Sequence, residues 1–485
     1  MSAQATLTDR LAAVKETLEA VGQDHLLRFY DELDEAQRAC LLTQIESVKW
    51  DEIARLVQSH VQRTPETKLP ENVQPAPWYP HEPTPELCQK YERARQEGVR
   101  MIGQGKVAAF TVAGGQGTRL GWNAPKGTFP ATPIRGLPLF ACMAEYLLKA
   151  QEICDGVIPW YVMTSPINDA DTRAYFKKHE FFGLRPDQVM IFPQSMMPGL
   201  DRNTGRVLLI DKGSLALLPN GHGGSLKALQ DSGALADMRR RGIEQISYTQ
   251  VDNPIVRMVD PLFLGLHTLD GAQMSSKMLP KAFAKEKLGN FCMVDGRVTV
   301  IEYSDLPDEL ARQRLEDGSL RFRAGSIAIH VIRLDFLESL FEGGGGSFAL
   351  PYHRAVKKAT CVDPETGERV TPAEANSVKL ELFVFDALPL CEKSIVYEAD
   401  RVDEFAPIKN ADGPDAVDSP ATSKAIQTER AARWLEQAGV KVARDSKGAV
   451  AAKIEISQRT AIYPEDLKNV KNLPDTIAAG EQVLL

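Results

Sequence analysis

Residues 107–127 read VAAFTVAGGQGTRLGWNAPKG, and the way this stretch changes character decides the fold. Val107 to Ala113 is an apolar run that reads as a buried strand. It breaks into Gly114-Gly115-Gln116-Gly117, followed by Thr118-Arg119 and then Lys126. A buried strand that opens into a glycine turn brings bare backbone N–H groups close to an anion. Arg119 and Lys126, a short reach away, neutralise phosphate oxygens as charge builds up on them. The loop is therefore read as a polyphosphate cradle. It is not the dinucleotide fingerprint G-x-G-x-x-G, because Leu120 holds the third glycine position counted from Gly115 and Gly117. It is not a Walker loop, because the order is Lys126-Gly127-Thr128 instead of G-K-[ST].

The same rhythm continues downstream. Strands are expected at Val107–Ala113, Ile158–Ser165, Val189–Gln194 and Gln245–Asp252, with helices at Leu139–Ile153, Asp169–Lys178 and Ser225–Arg241. Alternation of this kind implies a parallel, doubly wound α/β sheet, whose ligands sit at the carboxyl ends of the strands. The glycine loop, Gln194 and Asp252 all fall at such ends. Residues 272–332 look antiparallel, with Phe291–Val294 and Arg297–Tyr303 flanking the turn pair Asp295-Gly296. Residues 377–393 and 423–438 read as helices, Val440–Leu485 as a small appended domain, and Gly343–Gly346 as a flexible loop tip. Upstream, residues 7–59 repeat apolar positions at helical spacing. Seven prolines between Pro65 and Pro85 then make an extended connector, and a helix to Gly103 leads into the first strand. The expected domains are 1–100, helical with the proline-rich connector; 101–400, catalytic; and 401–485, C-terminal.

Composition narrows the function classes. At 485 residues two or three domains are expected, and a net charge of −8 leaves no basic footprint for nucleic acid. No apolar stretch is long enough for a bilayer, and the N-terminus lacks the apolar core of a secretory signal. The seven cysteines (40, 88, 142, 154, 292, 361, 391) are scattered, as for free thiols in a reducing compartment. A cytoplasmic protein with no membrane partner is expected.

Other constellations leave two readings each. Asp252, in YTQVDN, is placed for Mg²⁺ if a phosphate loop lies beside it, and otherwise caps a turn. Asn220-Gly221-His222-Gly223-Gly224-Ser225 either approaches a flat base or is an ordinary helix start with Ser225 as N-cap. Lys409, in DEFAPIKNAD, is a catalytic cation or a solvated surface lysine. Arg323 to His330 could line a pocket, with His330 itself read as structural.

Taken together, AGGQGTRLGWNAPKG, VDNPIVRMVDPLFLG, MVDGRVTVIEYSDL, VKLELFVFD and DEFAPIKNAD resemble, in this order, the segments of the eukaryotic-type UDP-sugar pyrophosphorylases, most closely the N-acetylglucosamine members. The resemblance covers about residues 85–440. It implies a Rossmann-like nucleotidyltransferase core, with a mixed but mostly parallel sheet, between a helical N-terminal region and a small C-terminal domain. It implies that UTP and a sugar 1-phosphate give UDP-sugar and pyrophosphate, with Mg²⁺ as cofactor. Position by position, it implies that Gly114, Gly115 and Gly117 hold the nucleotide, and that Arg119 and Lys126 bind the triphosphate. Gln194 with Gly221, His222 and Gly223 would read the uracil, and Asp252 would hold the metal. Gly289, Glu302, Gly325 and Ser326 would contact the sugar, and Lys409 the sugar phosphate. N-acetylglucosamine 1-phosphate is the expected sugar substrate. Glucose 1-phosphate or broad specificity is the alternative, since Arg323, Ser326 and Ile329 replace three asparagines of N-A-G-N-I-A-N-H, and G-H-G at 221–223 resembles the glucose enzymes. A non-catalytic UDP-sugar sensor on the same fold is the remaining alternative. Because both reactants are anions, and the attacking phosphate is ionised near neutral pH, a site of cations with no essential catalytic histidine is expected.

Overall fold

The structure is a computed structural model that describes residues 6–63, 70–342 and 348–485. Pro65 and the Gly343–Gly346 tip lie outside the described residues. By packing, the chain forms two compact units. The first takes Met1–Lys68, Ser195–Gly224 and Leu350–Val384, and the second takes Leu69–Gln194, Ser225–Ala349 and Phe385–Leu485.

The second unit is built on the expected sheet. Val107–Val112 is flanked in parallel by Trp160–Thr164 and Gln245–Gln250, and Val189–Pro193 adds to the outside of Trp160–Thr164. The strands Val107–Val112 and Trp160–Thr164 are buried almost throughout, as near-continuous apolar runs in a covered parallel sheet require. Beyond Gln245–Gln250 the sheet turns antiparallel. Ala324–Arg333 pairs with it and also with Met274–Pro280. Asn290–Val294 and Arg297–Ile301 form the expected hairpin, with Asp295 (φ 48°) and Gly296 (φ 78°) both left-handed in the turn. The sheet is thus mixed, and its parallel part carries the glycine loop.

Helices Leu139–Cys154 and Asp169–Lys178 stand where expected. The expected single helix over 225–241 is two, Gly224–Asp231 and Ala234–Arg240, because Gly233 between them is left-handed (φ 78°). The expected helix over 377–393 is corrected to a strand, Ser377–Leu382, followed by a 3-10 turn, Val384–Leu390. VKLEL alternates apolar and polar residues, and that period-2 pattern wins.

That strand belongs to the first unit and explains its discontinuity. Helices Leu7–Ala20, Glu35–Glu46 and Trp50–Leu56 are short. Each presents a narrow apolar stripe that isolated helices cannot bury. Leu18, Leu41, Leu42 and Ile45 share one core with Leu200, Val378 and Leu380, from strands supplied by the middle of the chain. The order 1–100, 101–400, 401–485 follows the chain, whereas packing gathers the helices with two later segments.

At the C-terminal end, Ser419 caps helix Pro420–Gln437. Trp434, Leu435, Ile454 and Ile477 form a small core of their own. All seven cysteines are free. Among the described residues, no helix is long and apolar enough to cross a membrane.

Candidate active site

The glycine loop leaves the strand Val107–Val112 and folds back on itself. Lys126 N donates to Gly115 O at 3.1 Å, and Gly117 N donates to Ala124 O at 3.1 Å. Two of its glycines have close neighbours. A Cβ on Gly114 would sit 2.9 Å from Gln194 Nε2, and one on Gly117 would sit 2.7 Å from Trp122 Cβ. A Cβ on Gly115 would meet nothing within 4 Å, so that side of its backbone stays open. Gln194, buried at the next strand end but one, is thereby brought against the loop. The loop is fixed from behind by Asn168, fully buried, whose Nδ2 donates to Ala113 O at 3.1 Å and Gly115 O at 3.2 Å. Asn168 was missed in the sequence. Its signal was available, a polar residue just past the end of a parallel strand beside the loop strand.

Lys126 follows on a 3-10 turn, Lys126–Thr128. Its Nζ stands 3.7 Å from Asp252 Oδ2, and both side chains are largely buried. Burial pulls the Lys126 amine below the ordinary lysine value; Asp252 opposes that shift, and Lys409 and Arg119 add to it. Lys126 therefore faces one carboxylate, and Lys409 and Arg119 lie near enough to act on its charge, with Arg119 exposed on the turn Thr118–Leu120. Asp252 lies two residues past the strand Gln245–Gln250. Ile408 N donates to Asp252 O at 2.8 Å, and Asn253 Nδ2 donates to Glu404 O at 2.6 Å. These bonds dock the DEFAPIKNAD segment beside the strand end and bring Lys409 into the group. Lys409 Nζ lies 3.5 Å from Asp418 Oδ2 and over the Phe405 ring. Among the described residues, no group of three or more His, Cys, Asp or Glu side chains is placed to hold a metal. Asp252 is a single buried carboxylate, which suits only a cation that takes its other ligands from phosphate and water.

Gly289, Glu302, Gly325 and Ser326 come together on the antiparallel side. Ser326 N donates to Gly289 O at 2.8 Å, and Asn290 pairs with Gly325. A Cβ on Gly289 would lie 3.3 Å from Glu302 Oε1. Here the strand Ala324–Arg333 bulges. Between the pairs Ser276–His330 and Met278–Ser326 one strand takes two steps and the other four. Ala328 in the bulge is left-handed, φ 53°, a strained state for a residue with a Cβ. Bulges re-aim side chains, and this one interrupts the pairing between Ser326 and His330. Ile329 enters the core, 4% exposed. Arg323 lies over the Trp78 ring and 3.7 Å from Glu398. His330 is fully buried, with Nδ1 2.8 Å from Ser276 Oγ and its ring against Tyr248, as a structural histidine would be.

Gly221, His222 and Gly223 belong to the first unit. Gly223 N donates to Leu382 O at 2.8 Å, and Val384 N donates to His222 Nδ1 at 3.2 Å. The His222 ring stacks on Phe383, and burial lowers its pKa to about 4, so it is neutral.

One feature of the second unit left no mark in the sequence. Helix Pro420–Gln437 reaches two backbone segments from one face. Ser423 Oγ donates to Ala406 O at 2.6 Å, and Gln427 Nε2 donates to Ala131 O at 2.9 Å. Ala406 is three residues before Lys409, and Ala131 is five after Lys126. Glu455 adds a second tie to the same loop through Ile134 N, Arg135 N and the Arg135 guanidinium.

Residues 46–474 match the sequence profile of the family described as UTP–glucose-1-phosphate uridylyltransferase. A Xenopus tropicalis protein named UDP-N-acetylhexosamine pyrophosphorylase-like protein 1 is 36% identical over 441 residues, covering 87% of this chain and 84% of its own length. The Saccharomyces cerevisiae UDP-N-acetylglucosamine pyrophosphorylase is 36% identical over 384 residues, 77% of this chain and 78% of its own. The crystal structure of the uridine diphosphate N-acetylglucosamine pyrophosphorylase from Trypanosoma brucei, in complex with an inhibitor, superposes with a TM-score of 0.82 at 26% identity, covering 100% of this chain and 99% of its own.

Proposed function

The chain belongs to the UTP–glucose-1-phosphate uridylyltransferase family, and on that premise we propose that it makes UDP-N-acetylglucosamine and pyrophosphate from UTP and N-acetylglucosamine 1-phosphate. It is a nucleotidyltransferase. The observation that carries the reading is the buried Lys126, facing Asp252 with Lys409 and Arg119 close enough to act on its charge. Two anions must meet, and a concentration of fixed positive charge is what permits it.

In this reading, the open backbone at Gly114 and Gly115, on the turn that Gly117 closes, receives the triphosphate, and Gln194 beside Gly114 meets the uracil. A base-recognition role for Gly221, His222 and Gly223 rests on the resemblance alone. Lys409 holds the sugar phosphate, whose oxygen attacks the α-phosphorus. That bond forms as the bond to the β-phosphate oxygen breaks, and pyrophosphate leaves with the electron pair. Lys126 and Arg119 take up the charge that gathers on it. No proton moves from the nucleophile, so no general base is required. Asp252 would hold Mg²⁺, which when bound neutralises phosphate charge and aligns the attacking and leaving oxygens. Gly289, Glu302, Gly325 and Ser326 line the sugar. The free cysteines fit the cytoplasm as its compartment.

One observation favours glucose 1-phosphate as the second reading. Ile329 is packed in the core and offers no amide to an acetamido group. The deciding experiment measures pyrophosphate release from UTP and Mg²⁺ with both sugar 1-phosphates. The expected result is a higher kcat/KM for N-acetylglucosamine 1-phosphate. A preference for glucose 1-phosphate establishes the second reading. Nucleotide bound without pyrophosphate release from either sugar overturns catalysis and leaves a UDP-sugar sensor.

A further inference from the structure

The sugar contacts and the cation for the sugar phosphate sit on two different segments of the second unit, and an ion pair joins those segments. Residues 281–288 form the loop that leads into Gly289. Phe283 in this loop is 60% exposed, so apolar packing does not pin it there. The end of the loop does pack, since a Cβ on Gly325 would lie 2.8 Å from Leu288 Cδ1. Inside the loop, Lys281 Nζ donates to Ala284 O and to Asn290 Oδ1, each at 2.9 Å, and Glu286 Oε2 accepts from Ala282 N at 2.7 Å. From outside, Arg401 Nη2 donates to Glu286 Oε1 at 2.9 Å and Oε2 at 3.2 Å, and to Pro280 O at 3.2 Å, where the strand Met274–Pro280 gives way to the loop. Arg401 opens the short helix Arg401–Glu404 that runs into the Lys409 segment. Its guanidinium and the Lys409 ammonium both lie over the Phe405 ring, at 5.8 Å and 5.4 Å.

We propose that Arg401 and Glu286 are positioning residues for the sugar 1-phosphate, which set the loop leading to the sugar contacts against the segment that carries Lys409. The inference rests on the reading that Lys409 holds the sugar phosphate and Gly289 and Gly325 the sugar. Two ends of one substrate then meet two separate segments, and the span between them has to be set before the substrate arrives. The backbone of the Lys409 segment does not need the pair. Val396–Glu398 runs parallel to Met274–Pro280, Asp400 caps the helix through Val402 N and Asp403 N, and Ile408 N bonds Asp252 O. What the pair adds is the loop. A solvated ion pair is worth little, but the Glu286 side chain is 16% exposed and is held from both sides, by Arg401 and by its own loop. Among the described residues, neither side chain bonds the glycine loop or Asp252, so the nucleotide half is independent of the pair.

Three variants of the full chain test this. Arg401→Met removes the pair, Glu286→Gln removes its charge but keeps an oxygen for Ala282 N, and Arg401→Lys keeps the charge. Steady-state pyrophosphate release with Mg²⁺ is measured while UTP and the sugar 1-phosphate are varied in turn, using N-acetylglucosamine 1-phosphate or glucose 1-phosphate, whichever the wild type turns over faster. The sugar contacts act in ground state and transition state alike, so their loss falls on KM. In Arg401→Met and Glu286→Gln the KM for the sugar 1-phosphate rises about tenfold, the worth of one charged hydrogen bond, and the KM for UTP is unchanged. Arg401→Lys recovers most of the rise, and the double variant costs no more than either single one, because each removes the same pair. A KM for the sugar 1-phosphate that does not move overturns the inference, and so does a parallel rise in both KM values, or a lysine that restores nothing. Stability lost in equilibrium unfolding with both KM values unchanged marks the pair as structural and overturns it too. In each of these cases the wild type still turns over and the functional reading stands, whereas a wild type that releases no pyrophosphate overturns that reading itself.

Discussion

The loops at 114–117 and 221–224 are both glycine-rich, and their glycines answer to different neighbours. A Cβ on Gly115 would meet open space, and the nearby charges are Lys126, Arg119 and Lys409. Around Gly223 a Cβ would stand 2.6 Å from backbone atoms of Leu382 and Phe383. Beside it His222 is neutral and stacked on an aromatic ring. One loop stays bare so that a ligand can approach. The other stays bare so that a neighbouring strand can. A glycine run states only that something comes close, and the surroundings decide what.

The strongest way to break this contrast is Lys126→Ala. If the first loop works by charge, turnover falls about 10²- to 10³-fold. The KM for UTP moves far less, because the charge Lys126 meets grows in the transition state. Steady-state pyrophosphate release measures both, and wild-type kcat would remove Lys126 from the reaction. Next in size is Gly223→Ala. Its Cβ has no room against strand backbone, so the variant loses about 3 kcal/mol in denaturant unfolding. Gly115→Ala stays within about 0.5 kcal/mol of wild type in the same measurement, since its Cβ meets nothing. It loses roughly tenfold in kcat/KM as the Cβ enters the space of the phosphates. If both alanines destabilise alike, the contrast fails.

The pH response sharpens it further. His222 has its pKa lowered to about 4 by burial, against 6.5 unperturbed. Above pH 6.5 it is neutral folded or unfolded, so stability does not depend on it. As pH falls from 6.5 towards 4, the unfolded chain takes a proton that the folded chain refuses. Stability is lost over that window, by up to about 3 kcal/mol. His222→Asn should flatten this slope in equilibrium unfolding followed across pH. Lys126 governs the other limb. Its amine loses its charge below the ordinary lysine value of 10.5, so the rate falls on the alkaline side before an unperturbed lysine would titrate.

Much of the second loop's setting was hidden from the sequence, while most of the first loop's was not. Val107 to Lys126 is contiguous, and its strand, turn and cations lie within one stretch, so periodicity and residue type were enough. Asp252 and Lys409 were found as strand-end and loop residues, but their meeting depends on Ile408 N bonding Asp252 O across 156 residues. No local pattern states that. The partner of the 221–224 loop is not legible in the sequence, where residues 377–393 read as a helix. Ser377–Leu382 is the strand that presses on Gly221 and Gly223. Asn168 could have been read from its place after a parallel strand. Gln427 could not, since a buried glutamine on an amphipathic helix looks like any other.

The smallest expected effect tests whether the first loop's cations are held from outside it. Gln427 and Ser423 sit one turn apart on helix Pro420–Gln437, and Gln427 Nε2 also donates to Ser423 Oγ at 3.2 Å. One ties down Ala131, beyond Lys126, and the other Ala406, before Lys409. Together they set the span between two segments that each end in a cation. Gln427→Ala should lower kcat about three- to tenfold, on the order of 1 kcal/mol for one lost hydrogen bond that positions a group. KM should change little. Ser423→Ala should do the same, and Ser423→Thr, which keeps the hydroxyl, should restore most of the rate. A structural role alone would lower stability without this split between kcat and KM. Because both residues hold one span, the double variant should cost less than the two single losses added. Full additivity in kcat would mean that the two segments are positioned independently, and that the charge around the first loop is set by the loop itself.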